Sequence, residues 1–102
     1  MAQIFAMYKR PADPAAFDKY YYATHVPIAK KVRGLRKYEV TAGPIATMGG
    51  ISPYYLIAIL TFDSMSDIQA ALASPEGQAT AADLANFATN GVDLYFADSR
   101  AI

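Results

Sequence analysis

The chain has 102 residues, no cysteine, and nine basic residues balanced by nine acidic ones. That length suits one core and a single domain over residues 1–102. The lack of cysteine excludes disulfides, zinc fingers and thiol catalysis, and the charge balance, with no long run of either sign, argues against nucleic acid as a partner.

Gln3–Lys9 is rich in large apolar residues, ends at Arg10-Pro11-Ala12-Asp13, and predicts a first strand. Asp13-Pro14 predicts a helix start, with Asp capping free N–H groups and Pro in the first helical position. Phe17, Tyr20, Tyr21, Thr24 and Ile28 then recur at three- and four-residue steps as one stripe. This helix runs from Pro14 toward Val32, with a disturbance at Pro27 and a stop at Gly34. Lys30, Lys31, Arg33, Arg36 and Lys37 read as its solvated end, where cations complement the helix dipole.

Leu35–Ala42 predicts the second strand. Gly43–Pro53 holds three Gly and two Pro, and predicts a mobile connection without a regular element. Tyr54–Phe62 is the most hydrophobic run and lacks polar alternation, as in a strand covered on both faces. Ser64-Met65-Ser66-Asp67 has capping-box spacing and opens a helix through Ala73. Ser74-Pro75 opens another over Pro75–Ala88, Asn90-Gly91 closes it, and Val92–Ala97 is the last strand. Met1–Met7 is too short for a signal segment and no apolar stretch approaches a membrane span. The expected setting is cytoplasmic, with no membrane partner.

The order βαββαβ predicts an α+β, ferredoxin-like domain: a four-stranded antiparallel sheet with its helices on one face. Hydrophobic residues are 54% of the chain and charged residues 18%, more apolar than an average soluble domain. A second copy covering the bare face would bury that excess, which predicts a homodimer.

The inventory for chemistry is short. His25 is the only histidine and the only side chain that titrates near neutrality when unperturbed. Eight tyrosines and no tryptophan supply apolar bodies with hydroxyl ends, suited to pocket walls and interfaces. Tyr20 and Tyr21 fit the buried stripe, while Tyr22 turns toward Asp18 and His25. His25 lies four residues after Tyr21, and Tyr38 begins the next strand; the pair is expected to border one cavity that takes an apolar ligand with one or two oxygens. One His, no Cys and scattered carboxylates predict no metal, and no Gly-rich loop or nucleophile elbow predicts a cofactor or a triad.

Tyr8-Lys9-Arg10-Pro11, then DPAAFDKYYYATHVPIAKKVRGLRKYEV from Asp13 to Val40, then SPEGQATAADLANFATNGVDLYFAD from Ser74 to Asp98, closely resemble the EthD family. That family is named for a protein linked to ethyl tert-butyl ether degradation. The resemblance covers nearly the whole chain and is thinnest in Gly43–Pro53. It implies a dimeric α+β barrel and an oxidoreductase-like protein; related barrels include muconolactone-type methylisomerases, cofactor-independent monooxygenases and some haem proteins. In methylisomerase-like members a helix-one His and a strand-two Tyr share a pocket, and these positions match His25 and Tyr38. That pocket also uses a cysteine, which is missing here.

The expectation is a cofactor-independent oxidoreductase or isomerase-like enzyme acting on a small apolar or aromatic molecule. His25 and Tyr38 are the catalytic candidates, and Tyr8, Tyr21 and Tyr22 the substrate-binding ones. The alternatives are a non-catalytic accessory protein that binds such a molecule, and, by analogy alone, haem ligation through His25.

Overall fold

The computed structural model describes residues 1–102. Strand β1, Ala2–Lys9, alternates buried and half-buried residues along its length, as a strand between two unlike faces must. Asp13 caps the next helix by accepting from the Ala16 N–H at 3.1 Å, ahead of α1, Pro14–Tyr20. A π-helical turn, Tyr21–His25, follows without a break, and then α2, Val26–Ala29. The helical rod therefore ends three residues short of the expected Val32; the N–H groups of Lys31 and Val32 close tighter turns on Ile28 and Ala29. Gly34, at φ +84°, then reverses the chain.

The π turn explains how this rod meets the sheet. Phe17, Tyr21, His25 and Ala29 are its buried residues, spaced at a strict interval of four. At about 100° per residue an α-helix drifts about 40° with each such step. Under-winding over Tyr21–His25 keeps the four on one side. Pro27 favours the wider turn, since its ring has no N–H to donate and crowds the carbonyl four residues earlier. The expected stripe changes accordingly: Thr24 is exposed and Ile28 only half-buried, while His25 and Ala29 face the core.

Strand β2, Lys37–Val40, is shorter than expected, although Arg36 and Thr41 still donate to Thr61 and Ile57 of the neighbouring strand. Within Gly43–Pro53, where no regular element was expected, Ala46–Thr47 (β3) and Gly50–Ile51 (β4) pair as a small hairpin. Met48-Gly49 makes its turn and the Thr47 hydroxyl donates to the Gly50 carbonyl at 2.6 Å. The Gly and Pro count signalled turns without showing that two of them flank a pairing segment. Strand β5, Tyr54–Phe62, leads through the Ser64 cap into α3, Met65–Ala73. Ser74 caps α4, Pro75–Phe87, and β6, Val92–Asp98, completes the chain. Gly77 is required where α4 crosses the end of α3: a Cβ there would lie 1.9 Å from the Ala71 carbonyl oxygen.

The four long strands form one antiparallel sheet in the order β2-β5-β1-β6, the ferredoxin-like arrangement expected. Cross-strand partners share a face, so Ala2, Ile4, Ala6 and Tyr8 lie with Phe62, Leu60, Ala58 and Leu56 under the helices. The opposite face carries Phe5, Met7, Ile57, Ile59 and Tyr95 and has no helix over it; Tyr95 is 57% exposed. No helix is long and apolar enough to cross a membrane.

Candidate functional site

His25 is 3% exposed and its Nδ1 lies 2.8 Å from Oδ2 of Asp83. Asp83 sits on the buried stripe of α4 with Gly77 and Phe87. Its other oxygen accepts from the Tyr20 hydroxyl at 2.6 Å and from Asn86 Nδ2 at 3.0 Å. Burial alone would raise the Asp83 pKa, but these three hydrogen bonds outweigh it and hold the carboxyl below its ordinary range. Burial lowers the His25 pKa against the opposing pull of Asp83.

The pair is therefore a carboxylate accepting Nδ1–H from a neutral imidazole, with the Nε2 lone pair left as a proton acceptor. Nε2 has no hydrogen-bond partner in the protein, and the sealed, unpartnered polar side-chain atoms comprise Glu76 Oε1 alone. An edge of Nε2 thus stays open.

Tyr21, fully buried, stacks between this pair and the phenols. Its ring is 5.4 Å from His25, 5.5 Å from Tyr8 and 5.8 Å from Phe17, centroid to centroid. Its hydroxyl is 2.6 Å from that of Tyr38, which reaches under the helices from β2. Burial pushes the Tyr8, Tyr21 and Tyr38 phenols up; the nearness of Tyr38 adds to the rise at Tyr8 and Tyr21, while the hydrogen bond with Tyr21 works against the rise at Tyr38. All three stay protonated at neutral pH, and in the Tyr21–Tyr38 pair one hydroxyl donates to the other.

Openings flank this cluster, one of about 330 Å³ beside Phe17, Tyr20 and Phe87. An apolar cleft of about 80 Å³ lies between the sheet and α3–α4, with Tyr8, Leu84, Leu94 and Phe96 in its wall. A larger cavity of about 340 Å³ opens at the other end of the sheet, lined by Arg10, Asp18, Tyr22, Tyr55 and by Gly43–Ile45 of the β2–β3 connection.

The five residues singled out in the sequence are thus distributed rather than gathered around one cavity. His25, Tyr21 and Tyr38 form the buried centre, Tyr8 joins it to the apolar cleft, and Tyr22, 51% exposed, faces the other cavity beside Asp18 and away from the His25 pair. His25 and Tyr38 are linked through Tyr21 and do not border the larger cavities together, because the four-residue spacing places the Tyr21 ring beside His25 on the same helix face.

The residue missed in the sequence is Asp83. Its signal was a lone acid on the buried stripe of an Ala-rich helix, where a carboxylate requires partners.

No three His, Cys, Asp or Glu side chains gather into a metal-binding group. Haem ligation does not fit: the ring of His25 is packed 4.6 Å from Phe87 and lines none of the larger cavities.

The EthD domain profile matches residues 9–91. An uncharacterized 11.0 kDa protein from the thcB-thcC intergenic region of Rhodococcus erythropolis is 40% identical over 100% of this chain and 98% of its own. The crystal structure of an EthD family protein from Bacillus halodurans superposes with a TM-score of 0.89 at 33% identity, over 98% of this chain and 99% of that one. Below 25% identity the fold alone is shared. SnoaB from Streptomyces nogalater, a cofactor-independent oxygenase, is 14% identical with a TM-score of 0.67 over 99% of this chain and 94% of its own. A Bacteroides fragilis protein, described as dimeric with a ferredoxin-like fold, is 17% identical with a TM-score of 0.64 over 96% and 95%.

Proposed function

The chain belongs to the EthD family, and from that premise we propose that it is a cofactor-independent enzyme for a small apolar or aromatic molecule, with His25 as its proton acceptor. The observation that carries the reading is the buried 2.8 Å contact between His25 Nδ1 and Asp83 Oδ2, which fixes the tautomer and leaves Nε2 basic. His25 takes a proton from an O–H or an activated C–H of the ligand. The Tyr38 phenol, accepting from Tyr21, keeps its own proton to donate to the oxygen anion that results. In an isomerase the proton returns at another carbon; in an oxidoreductase a quinol anion gives two electrons to dioxygen, which leaves as hydrogen peroxide with the proton held by His25 and the ligand's second hydroxyl proton.

SnoaB, which shares the fold, supports the possibility of oxygen chemistry without a cofactor in this architecture. The uncovered apolar face of the sheet, together with the dimeric Bacteroides protein, supports a homodimer with sheets face to face.

The test is oxygen uptake and product mass spectrometry with an aerated panel of phenols, quinols and hydroxyaryl ketones. Turnover by the natural chain should fall about 10²–10⁴-fold in His25→Gln, the range ascribed to a general base. Equal turnover by the two proteins would contradict the role. One observation favours a second reading, a binding protein that serves a partner enzyme: His25 is 3% exposed and lines none of the larger cavities. Saturable binding with no turnover across the panel would select it.

A further inference from the structure

The register of β5 breaks at one place. Tyr8 pairs with Leu56 and Lys9 with Tyr54, so Tyr55 is an extra residue, a β-bulge. Without it, Tyr55 would alternate to the uncovered face of the sheet. The bulge turns it under the helices, where its ring meets Phe17 edge-on at 5.5 Å and its hydroxyl lies 3.0 Å from both carboxylate oxygens of Asp18.

Arg10 stands at the same cavity, held through Nε by the Ser52 carbonyl at 3.3 Å. Its terminal nitrogens have no hydrogen-bond partner, and its charge acts on the Tyr55 phenol. Tyr22, Ile45 and Leu56 complete apolar walls around this polar pair. One acid, one base and flat apolar walls make a site with no net charge, in which a ligand oxygen that accepts meets Arg10 and one that donates meets Asp18.

We propose that this cavity is a binding site for a neutral aromatic molecule carrying one donor and one acceptor oxygen, such as a hydroxyaryl ketone. It is a second site, separate from the His25 cluster, and it does not rest on the proposed function, since binding here requires nothing of His25. Room of about 340 Å³ is ample for one ring with two substituents. Tyr22 packs edge-on against Tyr21 at 5.3 Å, so an occupied cavity would be separated from the buried cluster by one aromatic layer.

The probe is 4-hydroxyacetophenone, titrated into the 15N-labelled full chain. Saturable amide shifts should centre on Tyr22, Thr41, Gly43, Ile45 and Leu56. Phenol, acetophenone, and the Asp18→Asn and Arg10→Met variants should each bind about tenfold or more weakly, the loss expected for one hydrogen bond to a charged group. Tyr55→Phe, which keeps the ring, provides a milder variant if Asp18→Asn is poorly folded, and should bind more weakly than the natural chain.

His25→Gln should bind the probe as the natural chain does, which separates this site from the proposed proton acceptor. Shifts centred on Ala81, Leu94 and Phe96, the absence of saturable shifts at millimolar probe, or unaltered affinity in the Asp18, Arg10 and Tyr55 variants would overturn the site. Tighter binding of 4-hydroxybenzoate than of the neutral ketone would overturn the ligand class.

Discussion

His25 and Asp83 are 58 positions apart in the chain and 2.8 Å apart in the core, one from the helix after β1 and the other from the last helix. Folding joins them, so their proton equilibria and the stability of the fold are linked. His25 has a folded pKa below its ordinary 6.5. As pH falls below about 6.5 the unfolded chain takes up a proton that the folded one resists, and stability drops. The Asp83 pKa is also lowered, from 3.8. Its contribution is complete above that value and is lost as pH falls through its folded pKa. Urea midpoints should therefore decline from pH 7 to pH 5 and again below pH 4. A midpoint that is level from pH 7 to pH 5 would contradict the His25 assignment.

Asp83→Asn removes a charge that raises the His25 pKa and leaves the burial that lowers it. The His25 ring proton should then titrate at lower pH than in the natural chain, read by proton NMR. An upward shift would mean that Asp83 does not act on the ring as described.

The Tyr21 and Tyr38 hydroxyls share one 2.6 Å hydrogen bond. Replacing either with Phe leaves the other hydroxyl in a largely apolar setting and should cost about 1–3 kcal/mol. The double replacement should cost less than the sum, with a coupling of about 0.5–3 kcal/mol by denaturant unfolding. Additive costs would show that the two phenols do not act as a pair.

The uncovered face of the sheet carries Phe5, Met7, Ile57 and Ile59. Sedimentation equilibrium at micromolar concentration should give about twice the 11.0 kDa chain mass. Ile59→Lys should shift the protein to one chain mass, because an unpaired ammonium would be buried at the interface. A folded monomer of the natural chain would contradict the homodimer.

The fold was largely legible because each long element carries its own signal: Asp13-Pro14 and Ser74-Pro75 open helices, and Tyr54–Phe62 is apolar throughout. What was illegible arises from registers. A π turn and a one-residue bulge each displace side chains by a fraction of a turn or a flip of face; Pro27 marks a disturbance without giving the register of the π turn, and no residue type announces the bulge. Thus Ala29, not Ile28 and Thr24, reaches the core beside His25, and Tyr55 joins Asp18. His25 was found because it is the only histidine. Asp83 was passed over because helical spacing alone does not say that an acid faces inward.

The chemistry rests on Asp83 holding His25 as a neutral imidazole with Nε2 free to accept a proton. Long-range proton–nitrogen correlation on the 15N-labelled chain at pH 7 reads the tautomer directly. A protonated Nδ1 and an unprotonated Nε2 are expected in the natural chain. A ring protonated on Nε2, or on both nitrogens, at that pH would contradict this assignment.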